Sequence, residues 1–164
     1  MWKIVFVLTV LLQPISALAF TDKEARECIA RMAEDLIGLK DNEIGTFIQN
    51  TIDLDTVITK GTRNRNWQET NRAKDWIFHA KSAIKNRTIP TLINLKLSMD
   101  SQSLTIKESG RYKVISIIHE GAEITVTVKP YSKGYGCLIT EATAYNTSIS
   151  NIVGVEIERH KNKK

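Results

Sequence analysis

RYKVISIIHEGAEITVTVKP, residues 111–130, is the stretch that decides the fold class. Ile124, Val126 and Val128 alternate with Thr125, Thr127 and Lys129, the period of a strand with one apolar face, and Glu120-Gly121 is a short turn between two β-branched runs. The pair reads as an antiparallel hairpin. Upstream, Ile93, Leu95, Leu97 and Met99 alternate with Asn94, Lys96 and Ser98, and Leu104-Thr105-Ile106 leads to a turn at Ser109-Gly110. Downstream, Lys133-Gly134 turns the chain into a run over 135–144, and a last strand is expected over 152–157. The whole is an antiparallel meander.

Before residue 90 the period is 3.6 instead of 2. Thr21-Asp22-Lys23-Glu24 is a capping box, followed by Ala25, Cys28, Ile29, Met32, Ala33, Leu36 and Ile37 at helical spacing until Gly38. A second helical segment opens near Asp41-Asn42, carries Ile44, Phe47, Ile48 and Ile52 on one face, and runs or bends through Asp53-Leu54-Asp55 to Val57-Ile58 before Gly61 stops it. Asn66-Trp67-Gln68-Glu69 is a second capping box, with Ala73, Trp76, Ile77, Ala80 and Ile84 in register behind it, and Pro90 closes the helical half. Helices followed by antiparallel strands define an α+β fold in which the helices cover the one apolar face of the sheet.

At 164 residues and 42% hydrophobic, the chain suits one domain with a buried core. Residues 1–19 read as an export signal: Lys3 is the positive start, residues 4–12 are apolar except Thr9, Pro14 breaks the helix, and Ala17-Leu18-Ala19 offers cleavage after Ala19. The domain is expected over 20–158 and a basic tail over 159–164. Charge is segmented, with a net −5 over 20–59, +6 over 60–87, −1 over 88–158 and +4 over 159–164. The excess positive charge thus resides in the last six residues, which reduces the case for a nucleic-acid partner.

Positive signals for catalysis are absent from the sequence. His79, His119 and His160 have no metal or triad spacing, and neither a P-loop nor GxSxG, HExxH or GxGxxG occurs, so no enzyme, metal or cofactor is expected. Asp53 and Asp55 stand two apart, which suits helix capping better than shared acid–base work. Glu141, in an otherwise small and apolar strand, is the other carboxylate considered as a base. Cys28 and Cys137, 109 residues apart, form either one bridge, stabilising by about 4 to 5 kcal/mol, or two separate buried thiols. The basic stretch 60–87, interleaved with Trp67 and Trp76, reads as a solvated helix face, and anionic lipid is compatible with it.

Two stretches resemble a known family. FIQNTIDLDTVI (47–58), followed by Gly61, Trp67 and a long amphipathic helix, resembles the helical half of the MlaC-like, toluene-tolerance family of bacterial periplasmic phospholipid-binding proteins. In 141–149, Glu141 stands where that family has Asp, Asn146 where it has Gly, and Ser148-Ile149 where it has Ser-Leu. The family continues into a further C-terminal helix, whereas this chain is read to end in Lys161-Asn162-Lys163-Lys164.

The resemblance implies a cone related to nuclear transport factor two, a curved antiparallel sheet wrapped by N-terminal helices, with an apolar pocket for acyl chains between them. It implies a periplasmic carrier that exchanges phospholipid with an outer-membrane lipoprotein complex and an inner-membrane ABC transporter, without covalent chemistry. Apolar-face periodicity nominates Phe47, Ile48, Val57, Trp76, Ile77, Ile93, Leu95, Leu97, Val114, Ile118, Val126 and Val128 as lining, with Arg72 or Lys74 near a headgroup. The alternatives are a non-enzymatic scaffold module of an envelope secretion complex, and a small enzyme using Asp53 or Glu141.

Overall fold

In the computed structural model, which describes residues 20–63, 67, 73–87 and 104–163, the first capping box closes as expected. The Thr21 hydroxyl accepts from the Glu24 amide at 3.1 Å, and the Glu24 carboxylate accepts from the Thr21 amide at 2.7 Å, starting α1 (Asp22–Gly38). Every residue of its expected apolar face is buried except Ile37. The second segment bends: α2 (Ile44–Thr51) ends at Ile52, and α3 (Leu54–Thr62) begins after Asp53. Asp53 is the N-cap, accepting from the Thr56 amide at 3.3 Å and hydroxyl at 2.5 Å. Helix α4 (Ala73–Arg87) follows. Of the second capping box only Trp67 is among the described residues, and the strand expected around Ile93–Met99 lies outside them, as do residues 1–19.

The sheet is an antiparallel meander in the order β1 (Thr105–Ser109), β2 (Tyr112–His119), β3 (Ala122–Pro130), β4 (Cys137–Ala144) and β5 (Thr147–Ser148). Tight loops fix its register. Glu120 and Gly121 both take positive φ (50° and 78°), the type I′ pattern that matches strand twist, and they pin His119 opposite Ala122 and Ile117 opposite Ile124. Tyr145 and Asn146 do the same between β4 and β5, Asn tolerating the left-handed region second only to Gly. A bulge beside Thr127 and Val128 inserts Thr140, whose hydroxyl donates to the Thr127 carbonyl at 3.2 Å.

After β5 the chain is helical, which corrects the expected strand over 152–157. Helix α5 (Ile149–Lys161) starts at the Ser148 N-cap and takes up the first three residues of the stretch read as tail. Val153, Val155 and Ile157 alternate as a strand would. They also fit a helix, because Ile149, Val153 and Ile157 recur every four residues and are buried while Val155 points outward.

Helices α3 and α5 cross at backbone contact. A Cβ on Gly154 would lie 2.2 Å from the Gly61 carbonyl oxygen, and a Cβ on Gly61 would lie 2.1 Å from the Ser150 carbonyl oxygen. Gly61 therefore sits inside α3 as a crossing residue, and the stop falls two residues later at Arg63, in the left-handed region. Among the ties that hold the helices to the sheet, one is covalent. Cys28 and Cys137 are joined in a disulfide between α1 and β4, with Cα atoms 6.1 Å apart. Lys129 of β3 donates to Asp53 at 2.5 Å, and the Asp53 amide donates to the Ile139 carbonyl at 2.8 Å. The Glu141 carboxylate accepts from the Ser150 amide at 3.1 Å and hydroxyl at 2.5 Å, anchoring the start of α5.

Burial alone would raise the Asp53 carboxyl, but hydrogen bonds from Lys129 and from the Thr56 hydroxyl and amide outweigh it and hold the group below its ordinary 3.8.

Two stability measurements follow from these contacts. Gly154→Ala is expected to destabilise by about 3 kcal/mol, lowering Tm by roughly 10 °C, while Gly45→Ala, in open space on α2, stays within about 1 kcal/mol of the parent. Equal melting of the two variants would refute the close crossing. Asp53→Asn retains a cap but loses the charge pair, and is expected to cost about 1–3 kcal/mol at pH 7. A depressed folded-state value makes the Asp53 contribution complete above the ordinary 3.8 and lost as the pH falls through that lower value. The gap between parent and variant in urea titrations should therefore close only below about pH 4.

Candidate functional site

The inward sheet face is apolar because strand alternation puts Ile115 and Ile117 of β2 beside Ile124, Val126 and Val128 of β3. Ile139, Ala142 and Ala144 of β4 extend it. Facing it, α1 contributes Cys28, Ile29 and Met32, α2 contributes Phe47 and Ile48, and α3 contributes Val57 and Ile58. Ala80 and Ile84 of α4 and Val153 and Ile157 of α5 complete one continuous cluster. Polar side chains gather around this layer, where water or an opposite charge satisfies them.

Six of the expected lining residues, Phe47, Ile48, Val57, Trp76, Val126 and Val128, are buried in this cluster, and Ile77 packs half-buried against it. Val114 and Ile118 do not belong to it. Both stand on the outer face of β2, where Ile118 is 55% exposed, and Ile115 and Ile117 point inward instead. The run from Val114 to Ile118 is apolar on both phases, so it does not declare its own face. The two-residue loop does, since pairing His119 with Ala122 puts Ile117 on the same face as Ile124. Ile93, Leu95, Leu97 and Arg72 lie outside the described residues, and Lys74 is exposed on the first turn of α4.

Lys113 is in phase with Ile115 and Ile117, and is buried on the inward face. Its ammonium donates to Asp22 of α1 at 2.8 Å and to Glu108 of β1 at 2.5 Å, and these carboxylates raise its pKa. The sequence reading passed over this residue, although its phase with two isoleucines was visible. Beside the disulfide, Tyr135 donates its hydroxyl to Asp35 at 2.5 Å and accepts from Arg31 at its carbonyl. Burial and the bond to Asp35 push the Tyr135 hydroxyl up to about 12. Of the carboxylates considered as a base, Asp53 is engaged by its cap contacts and by Lys129, which hold it in the ionised form, and Glu141 is engaged by the start of α5. Among the described residues no group of three His, Cys, Asp or Glu side chains is arranged to hold a metal.

Two features stand at the α4–α5 seam. Ser82, Ala83, Thr147, Asn151, Ile152, Val155, Glu156 and Arg159 line a surface groove of about 270 Å³, and the rings of His79 and His160 stack at 3.7 Å nearby along the same two helices. Further toward the end of α5, Trp76 is stacked on Trp67 with centroids 6.3 Å apart, and Lys161 Nζ lies 4.7 Å from the Trp76 ring centroid. The Trp76 Nε1–H is buried with no acceptor among the described residues, a deficit of about 1–3 kcal/mol for a donor of this kind.

No helix among the described residues is long and apolar enough to cross a membrane. No protein-family model and no curated protein matches the chain. Among solved structures, it is similar to the phospholipid-binding protein from Ralstonia solanacearum, determined in complex with a phospholipid, at 11% identity over 86% of this chain and 84% of that one, with a TM-score of 0.49.

Proposed function

We propose that this protein binds a phospholipid, with the acyl chains between the helices and the inward face of the sheet, and carries it through the periplasm. The observation that carries the reading is the composition of the interlayer: over β2 and β3 its sheet side is isoleucine and valine, and its polar ties lie at the margins. Such a layer is held in the middle by non-directional contacts. Acyl chains replace contacts of that kind at about 0.8 kcal/mol per buried CH₂, without leaving hydrogen bonds unmade. The stretch 47–58 and the segment 141–149, by which the chain resembles the MlaC-like family, support the same reading. Both fall at the ties: Asp53 caps α3 in the first, and Glu141 and Ser148 begin α5 in the second.

Exchange of the lipid with an outer-membrane lipoprotein complex and an inner-membrane ABC transporter is the carrier role that follows. It needs no covalent chemistry, metal or cofactor. A scaffold role is the second reading, favoured by the α4–α5 groove and by Phe78 and Val155, which stand exposed on those helices.

Native mass spectrometry of the purified protein separates the two. The carrier reading expects a stoichiometric adduct of phospholipid mass, retained through gentle desolvation and identified after denaturing extraction. It also expects Val126→Trp, which fills the centre of the inward face, to keep the far-ultraviolet spectrum and lose the adduct. A bare mass, unchanged after incubation with phospholipid vesicles, would sink the carrier reading and leave the scaffold.

A further inference from the structure

Trp76 differs from every other side chain of the core described above. Only 4% of it is exposed, yet its indole N–H has no acceptor among the described residues, whereas the buried Thr51, Thr140, Lys113 and Asp53 are all hydrogen-bonded. An indole N–H can only donate, and a buried donor without a partner is rare in a folded protein. The ring itself is fully used, with Trp67 stacked against it and the Lys161 ammonium over it. What is missing is one oxygen.

We infer that the Trp76 indole N–H is the polar anchor of the bound phospholipid, donating to a phosphate or glycerol-ester oxygen, with Lys161 supplying positive charge beside it. This rests on the phospholipid reading above and specifies how the ligand is oriented. A tryptophan with an apolar body and one donor edge suits the boundary between acyl chains and headgroup. An ammonium has three donors, so Lys161, held over the ring by its ion pair with Glu158 at 2.5 Å, keeps donors for a further oxygen. Helical spacing alone reads Trp76 as one more apolar lining residue; the unmet donor assigns it a different part.

Trp76→Phe keeps an aromatic ring and deletes the donor. Titration with a short-chain phosphatidylglycerol below its micellar concentration should show affinity reduced about 5–10-fold in the variant, the effect of one hydrogen bond. The ligand-free variant is expected to melt somewhat lower, because the smaller ring leaves a cavity and a weaker stack on Trp67, so the two affinities are compared at a temperature where both proteins are folded. In the parent, the assigned Trp76 indole ¹H–¹⁵N resonance should move downfield with lipid and stay put with inorganic phosphate alone. If phosphate alone moved it equally, the site would belong to a free anion and the lipid anchor would be refuted. Equal lipid affinity of parent and variant, or an unmoved indole signal in a lipid-saturated parent, would overturn the anchor and leave the carrier reading intact. Failure of the parent to bind lipid would overturn both.

Discussion

The contact between Gly61 and Gly154 sets the geometry on which the helical layer depends. Two helices ordinarily pack with axes 8–10 Å apart because side chains keep them separate. Here a Cβ at either position would run into the opposing backbone, so α3 and α5 are nested at their crossing. Nesting brings α5 against α3 and α4 and aligns Ile149, Val153 and Ile157 with the core. Two of the ties act on the helices that cross there. Glu141 receives the start of α5 there, and Asp53 begins α3 one side chain away from Lys129.

The division of labour between centre and margin is the second organising fact. Apolar side chains fill the space between the layers, and charged or capping groups fasten its edges at Asp22–Lys113, Asp53–Lys129 and Glu141–Ser150. Directional bonds fix where each helix stands, while the interior is left to contacts that accept many shapes. The Trp76 N–H is the exception, a directional group inside the layer with nothing to direct itself toward.

Much of this was legible from residue order. The Thr21 box, the α1 face, the hairpin turns and the role of Asp53 as a cap follow from local rules about hydrogen bonding and period. Three features were not. Residues 152–157 satisfy a strand period and a helix period together, and the Ser148 cap that decides between them draws its support from Glu141 on another strand. The inward phase of β2 depends on its pairing with β3, so Val114 and Ile118 were chosen where Ile115 and Ile117 belong. Gly61 looked like a terminator because the residue that needs its missing side chain is 93 positions away. For the candidate site, the apolar faces could be read, but the burial of the Trp76 indole N–H away from the acceptors of the described residues shows only in three dimensions.

The ties to α1 bear on the order in which the chain can fold. Asp22 and Cys28 lie at the start of the described residues, while their partners Lys113 and Cys137 lie in its second half. A ribosome, or any pore that passes the chain N-terminus first, delivers α1 long before β2 and β4 exist to receive it. Until then, the face carrying Ile29, Met32 and Leu36 has no sheet to cover it, and α1 by itself is near the length at which an isolated helix is marginal in water. Folding must wait for closure over distant segments, which makes it slow relative to a helical bundle and leaves an amphipathic helix uncovered throughout the delay. The first of the described elements to be made is thus among the last to be secured.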